Sequence, residues 1–238
     1  MKKLNLLLFA SLLLVISCSE KKEVKQEVIA RNDVMTKELQ QAKTPAQLIS
    51  LFKEGNAKFV KGDLTFTDYP KQIMQTSQGQ YPAAVILSCL DSRIPVEKVF
   101  DLGVGDVFVG RVAGNIVNAD MLGSMEFACK LSGSKLVLIL GHTECGAVKG
   151  AIDNVKLGNL TELLAKIRPA IDSVSSFQGD KTSKNKEFVD KVAQENVKLT
   201  MNEVRLKSPV LKEMEDKGEI DIIGGLYDIT TGKVTFME

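Results

Sequence analysis

The stretch AAVILSCLDSR, residues 83–93, sets an apolar run directly against a cysteine, an aspartate and an arginine. A run of this length, rich in β-branched residues, predicts a strand buried on both faces, as in the middle of a parallel sheet. Cys89, Asp91 and Arg93 alternate, so on an extended segment they share one side. KLVLILGHTECGAV, residues 135–148, repeats the design: an apolar run, then His142, the only histidine, and Cys145.

Outward from these two runs, DVFVGRVAG (106–114) predicts another strand. EIDIIGGLYDITTGKVTFME, at the end of the chain, predicts a further strand, a Thr-Gly turn and a short edge strand. Helices are expected between them. Thr44-Pro45 reads as a cap and first helical position, with Leu48, Phe52 and Phe59 at helical spacing and Gly62 as the stop. Residues 119–133 read as a helix closed by Gly133, and another starts at about Cys145. Residues 159–174 read as one helix despite Pro169. A long amphipathic helix runs from about Glu187 to Leu206, carried by Phe188, Val192, Val197, Met201 and Val204. No element is predicted for the polar segment 63–82. Strands alternating with helices predict an α/β fold: a central, mainly parallel sheet of about four strands plus a short C-terminal edge strand, flanked by helices. Ligands in such sheets gather beyond the carboxyl ends of the strands, which is where Cys89 and His142 fall.

Basic and acidic residues balance, 31 against 30, and there is no Trp. Neither a basic surface nor a base-stacking platform is present, which excludes a nucleic-acid partner. No internal repeat or low-complexity tract occurs. The head of the chain differs from the rest. Met1-Lys2-Lys3 precedes an apolar core, Leu4 to Ile16, that suits an export signal. It ends in VISC, residues 15–18, and resembles a bacterial lipoprotein signal whose Cys18 is acylated after cleavage; a plain secretory signal or an uncleaved anchor are the alternatives. The expected organisation is a signal peptide over 1–17, a charged, lipid-anchored tether over 18–44, helical in its second half, and a catalytic domain over 45–238. The protein is then expected outside the cytoplasm on a bacterial membrane, the outer one favoured by Ser19.

Cys129 lies among apolar neighbours and reads as a core thiol. Spacing alone leaves Cys89 and Cys145 open. With His142 they could hold Zn²⁺ and leave a fourth position free, as catalytic zinc sites do. They could equally form a disulfide or remain core thiols, with Asp91 and Arg93 a loop-holding ion pair.

CLDSR followed by GHTECGAVKGAI resembles the β-class carbonic anhydrases, whose motifs are Cys-x-Asp-x-Arg and His-x-x-Cys. LFKEGNAKFVKG (51–62), FDLGVGDVFVGRVAGNIV (100–117) and GGLYDITTGKVTF (224–236) are similar to that family's first helix, second strand and closing strands, in the family's order. The resemblance implies that Cys89, His142 and Cys145 bind zinc. It also implies that Asp91 is either a fourth metal ligand or the acceptor of a hydrogen bond from zinc-bound hydroxide, and that Arg93 pairs with Asp91. The implied reaction is the hydration of CO2 to bicarbonate and a proton by attack of that hydroxide, in a homodimer or larger homo-oligomer. Alternatives are hydrolysis of carbonyl sulfide or carbon disulfide on the same fold, or a non-catalytic zinc-binding lipoprotein. The chain departs from many relatives at Ile86, where some carry a Trp of a bicarbonate-sensitive regulatory site, at Ser88 for Gly, and at Gly110 for a bulky apolar residue. Arg111 and Asn115 either line the site or buttress it.

Overall fold

The computed structural model describes residues 30, 31 and 34–237. The signal peptide, Cys18 and most of the expected tether lie outside the described residues. Elements run in the order β1 (Ala30–Arg31), α1 (Lys37–Ala42), α2 (Pro45–Lys61), β2 (Phe66–Thr67), α3 (Tyr69–Thr76), β3 (Ala84–Ser88), α4 (Val96–Val99), β4 (Val107–Arg111), α5 (Ala119–Glu126), β5 (Leu136–His142), α6 (Gly146–Ile152), α7 (Gly158–Ala165), α8 (Arg168–Ser173), α9 (Lys186–Lys207), α10 (Pro209–Asp216), β6 (Asp221–Tyr227) and β7 (Val234–Met237). A π-helical turn, Phe127–Leu131, extends α5.

The main sheet has strand order β4-β3-β5-β6-β7, all parallel except β7, which closes antiparallel on β6. This is the expected α/β architecture. The period of two along the strands divides the core into two layers. Ala84, Ile86, Leu136, Leu138, Leu140 and Ile223 face a cluster completed by Leu48 and Phe52 of α2, Phe100, and Val148 of α6. Val85, Leu87, Val137, Ile139 and Ile222 face a second cluster built from Leu122, Met125, Val204 and Leu211. Helix α9 serves both: Phe188, Val189 and Val192 join the first, Val197, Met201 and Val204 the second. Cys129 is a buried core thiol as expected, and burial alone pushes it up to about 12.

Four local expectations change. Residues 37–42, assigned to the tether, form α1 against the body: buried Gln40 donates from Nε2 to Pro82 O (2.8 Å) and Ser132 O (2.7 Å). The polar segment 63–82 contains α3, capped by Asp68, whose side chain accepts from Lys71 N–H. Its only buried residue is Gln72, which accepts from Val104 N–H at 2.9 Å, so no apolar periodicity announces it. The single helix expected over residues 159–174 is two, α7 and α8, because Pro169 lacks a donor and crowds the carbonyl of Ala165. Helix α10 was not expected at all. No helix among the described residues is long and apolar enough to cross a membrane.

Candidate metal centre

Strands β3 and β5 are neighbours, with Ser88 opposite Leu140. Cys89 therefore leaves β3 beside the end of β5, where His142 is the last strand residue. The chain then turns through Thr143 and Glu144, and Cys145 occupies the N-cap position of α6. Glu144 takes φ +57° to make that turn. Two motifs that start 53 positions apart, at Cys89 and His142, thus meet at one point because two parallel strands end side by side.

Ligand atoms of Cys89, His142 and Cys145 all lie within 4.8 Å of one another, and all three residues are buried. The sulfurs are 4.0 Å apart and the cysteines are free, so the disulfide reading of the spacing falls away. Two thiolates bound tetrahedrally to zinc at about 2.3 Å each stand about 3.8 Å from one another, close to the separation here. His142 Nδ1 lies 2.9 Å from Thr143 O. A carbonyl only accepts, so Nδ1 carries the proton and Nε2 keeps its lone pair. That Nε2 is buried and has no hydrogen-bond partner among the described residues, an arrangement that costs free energy unless a cation takes the lone pair. The thiols agree. A hydrogen bond from Cys145 holds the Cys89 thiol well below its ordinary value against its burial, with help from the Gly114 N–H. Cys145, facing that thiolate and buried, is pushed well up. Two thiols this close ionise together only when a cation supplies the compensating charge. The donor set fits zinc.

Asp91 stands beside this trio, not within it. Its Oδ1 accepts from Arg93 N–H (3.0 Å) and Nε (2.9 Å), and its Oδ2 from Arg93 Nη2 at 2.7 Å. Those bonds hold the carboxyl well below the usual carboxylate range. Oδ2 is 3.8 Å from His142 Nε2, so the carboxylate reaches the edge of the site while Arg93 restrains it.

Several further residues support the site, and of the two roles left open for Arg111 the structure selects one. Arg111 buttresses: it donates from Nε to Cys89 O (3.1 Å) and from Nη2 to Asp91 O (2.6 Å), fixing the backbone that carries both. Gly114 N–H points at Cys89 Sγ, 3.4 Å away. Thr143 N–H donates to Tyr227 O at 2.9 Å, and Thr143 Oγ1 accepts from Ile229 N–H at 3.1 Å. Asp190 Oδ1 accepts from Glu144 N–H at 2.8 Å. Asn115, Ile86 and Ser88 are buried. At Gly110 the Met121 sulfur would stand 2.6 Å from an added Cβ, so Met121 fills the space a side chain there would take.

A family model described as carbonic anhydrase matches residues 84–234. The chain is 32% identical over 203 residues to carbonic anhydrase 2 of Mycobacterium tuberculosis, covering 82% of this chain and 93% of that protein. Among solved structures it is similar to a β-carbonic anhydrase of Aspergillus fumigatus, at 30% identity and a TM-score of 0.62 over 81% of this chain and 90% of that one. A tetrameric β-carbonic anhydrase of Sordaria macrospora gives 25% identity and a TM-score of 0.63 over 70% of this chain and 86% of that one. With the matched region spanning both halves of the cysteine–histidine cluster, the chain belongs to the β-class carbonic anhydrase family.

Proposed function

We infer that this protein hydrates CO2 reversibly, CO2 + H2O giving HCO3⁻ and H⁺, at the site formed by Cys89, His142 and Cys145. The observation that carries the reading is the buried convergence of these three ligand atoms, with His142 Nε2 left without a partner among the described residues. A zinc ion held there supplies the Lewis acidity that lets water attack CO2 near neutral pH. The chain's own residues do the rest. Thr143 O fixes the His142 tautomer. Asp91, kept ionised by Arg93, offers only acceptors, so it orients the reacting water by taking a hydrogen bond from it. Burial of the ligands keeps bulk water from competing for them. Stopped-flow hydration should show turnover that chelation abolishes and zinc restores. Asp91→Asn should retain zinc and lose about 100-fold in kcat/KM, the scale of a positioned acid–base group. Undiminished turnover after complete zinc removal would refute the reading.

We also propose that residues 1–17 are a lipoprotein signal, that Cys18 becomes the acylated first residue, and that the body sits outside the cytoplasm on a bacterial membrane, the outer one favoured. The apolar core ending directly at Cys18 supports this, and so does the charged segment after it. Mass spectrometry of the mature N-terminus should find a lipidated Cys18, and Cys18→Ser should release a soluble form or an uncleaved precursor. A mature chain with an unmodified N-terminus elsewhere sinks the proposal. Assembly as a homodimer or larger is proposed from the tetrameric Sordaria relatives; sedimentation at a monomer's mass over micromolar concentrations would contradict it.

A further inference from the structure

We propose that Asp190 is a positioning residue for the metal site, holding the turn between His142 and Cys145 in the left-handed conformation that lets both ligands reach one ion. The inference rests on the zinc reading above. The turn needs help because Glu144, a residue with a Cβ, sits at φ +57°. In this region the Cβ crowds the backbone, and only glycine enters it without strain. The carbonyl of that peptide, Thr143 O, faces His142 Nδ1, and the neighbouring tethers leave its N–H to Asp190. Thr143 is tied to the carboxyl end of β6 and the turn after it through Tyr227 O and Ile229 N–H. The Glu144 side chain is tied to Lys149, 2.8 Å away on α6. The Glu144 N–H has Asp190 Oδ1 as its acceptor, 2.8 Å away.

The bond spans 46 positions and comes from α9, whose neighbouring Val189 and Val192 are fully buried. Asp190 is thus mounted on a packed helix rather than on a loop. A charged acceptor makes a stronger bond than a neutral one, and here it restrains the Thr143–Glu144 peptide, which lies between His142 and Cys145. Asp190 keeps this post beside the carboxylates of Glu144 and Asp228, whose charges oppose its own.

The test is an equilibrium competition for zinc between the full mature protein and a chromophoric chelator, run on a cycle of variants. Asp190→Ala should weaken zinc binding about 10-fold, the lower end for loss of a group that orients a ligand. Asp190→Asn keeps an acceptor oxygen and should stay within about 3-fold of the parent, since the bond survives. Glu144→Gly removes the strain, so in that background Asp190→Ala should cost less than about 3-fold. A merely structural role would not be rescued by a glycine at position 144. An unchanged constant for Asp190→Ala, or the same loss with and without Glu144→Gly, overturns the inference. Failure of the parent protein itself to bind zinc would instead count against the site reading.

Discussion

At Asp101, burial favours the neutral acid, yet hydrogen bonds win. Thr65 donates from its hydroxyl (2.7 Å) and its N–H (2.9 Å), Lys58 Nζ stands 2.9 Å away, and the carboxyl is held below its ordinary value of 3.8. The sign follows from the lowered folded value: the ionised form stabilises the fold fully above the unfolded value, and the gain is lost as pH falls through the folded one. Asparagine tolerates the left-handed φ of 52° there. Asp101→Asn should therefore cost about 1–2 kcal/mol at pH 7, with the gap to the parent closing in denaturant titrations below pH 4. A gap constant from pH 7 to 3 would show that the charge is irrelevant. Among site residues, Cys89, Asp91, Arg93, His142 and Cys145 were legible because they fall in two short strings at strand ends. Arg111 was singled out with its role left open and Asp190 was not singled out; their contacts with backbone 20 to 46 positions away are revealed by no local spacing. A partial signal did exist for Asp190: a non-glycine residue at a tight turn between two ligands needs an acceptor from somewhere.

Elements were legible where apolar period and caps agreed. Helix α2 begins at Thr44-Pro45 with a complete capping box, Thr44 accepting from Gln47 N–H and Gln47 accepting from Thr44 N–H. Ser208-Pro209 is the same signal and opens α10, but it follows α9 so closely that one amphipathic run hides it. Helix α3 stayed hidden because it exposes Tyr69, Ile73 and Met74 and buries a glutamine. The fit of α9 to the sheet was also invisible beforehand. It depends on glycines at Gly141 and Gly224, where an added Cβ would lie 2.5 Å and 2.7 Å from Val197 methyl groups. Gly224→Ala should push α9 off the sheet and cost about 1–3 kcal/mol, as overpacking does, with a matching drop in the thermal midpoint. Unchanged stability would mean the helix rides more loosely than this packing implies.

For the whole molecule, the folded body includes α1 and does not begin at Thr44. Gln40 satisfies two backbone carbonyls, and Lys135 Nζ donates to Gln41 O and Lys43 O at 2.7 and 2.8 Å, so α1 is tied to the segment that enters β5, the central strand of the sheet. A chain starting at residue 44 should be about 2–4 kcal/mol less stable in urea than one starting at residue 34, because Pro82 O and Ser132 O lose a buried donor; equal midpoints would contradict this. The same logic of scale governs the active centre. Parallel order brings β3 and β5 together, their carboxyl ends place two motifs side by side, and three buried side chains converge on one point. X-ray absorption at the zinc edge of the active protein reads that convergence most directly. The account predicts a first shell of two sulfurs at about 2.3 Å and two lighter atoms at about 2.0–2.2 Å. A shell without sulfur, or fully active protein without zinc, would contradict it.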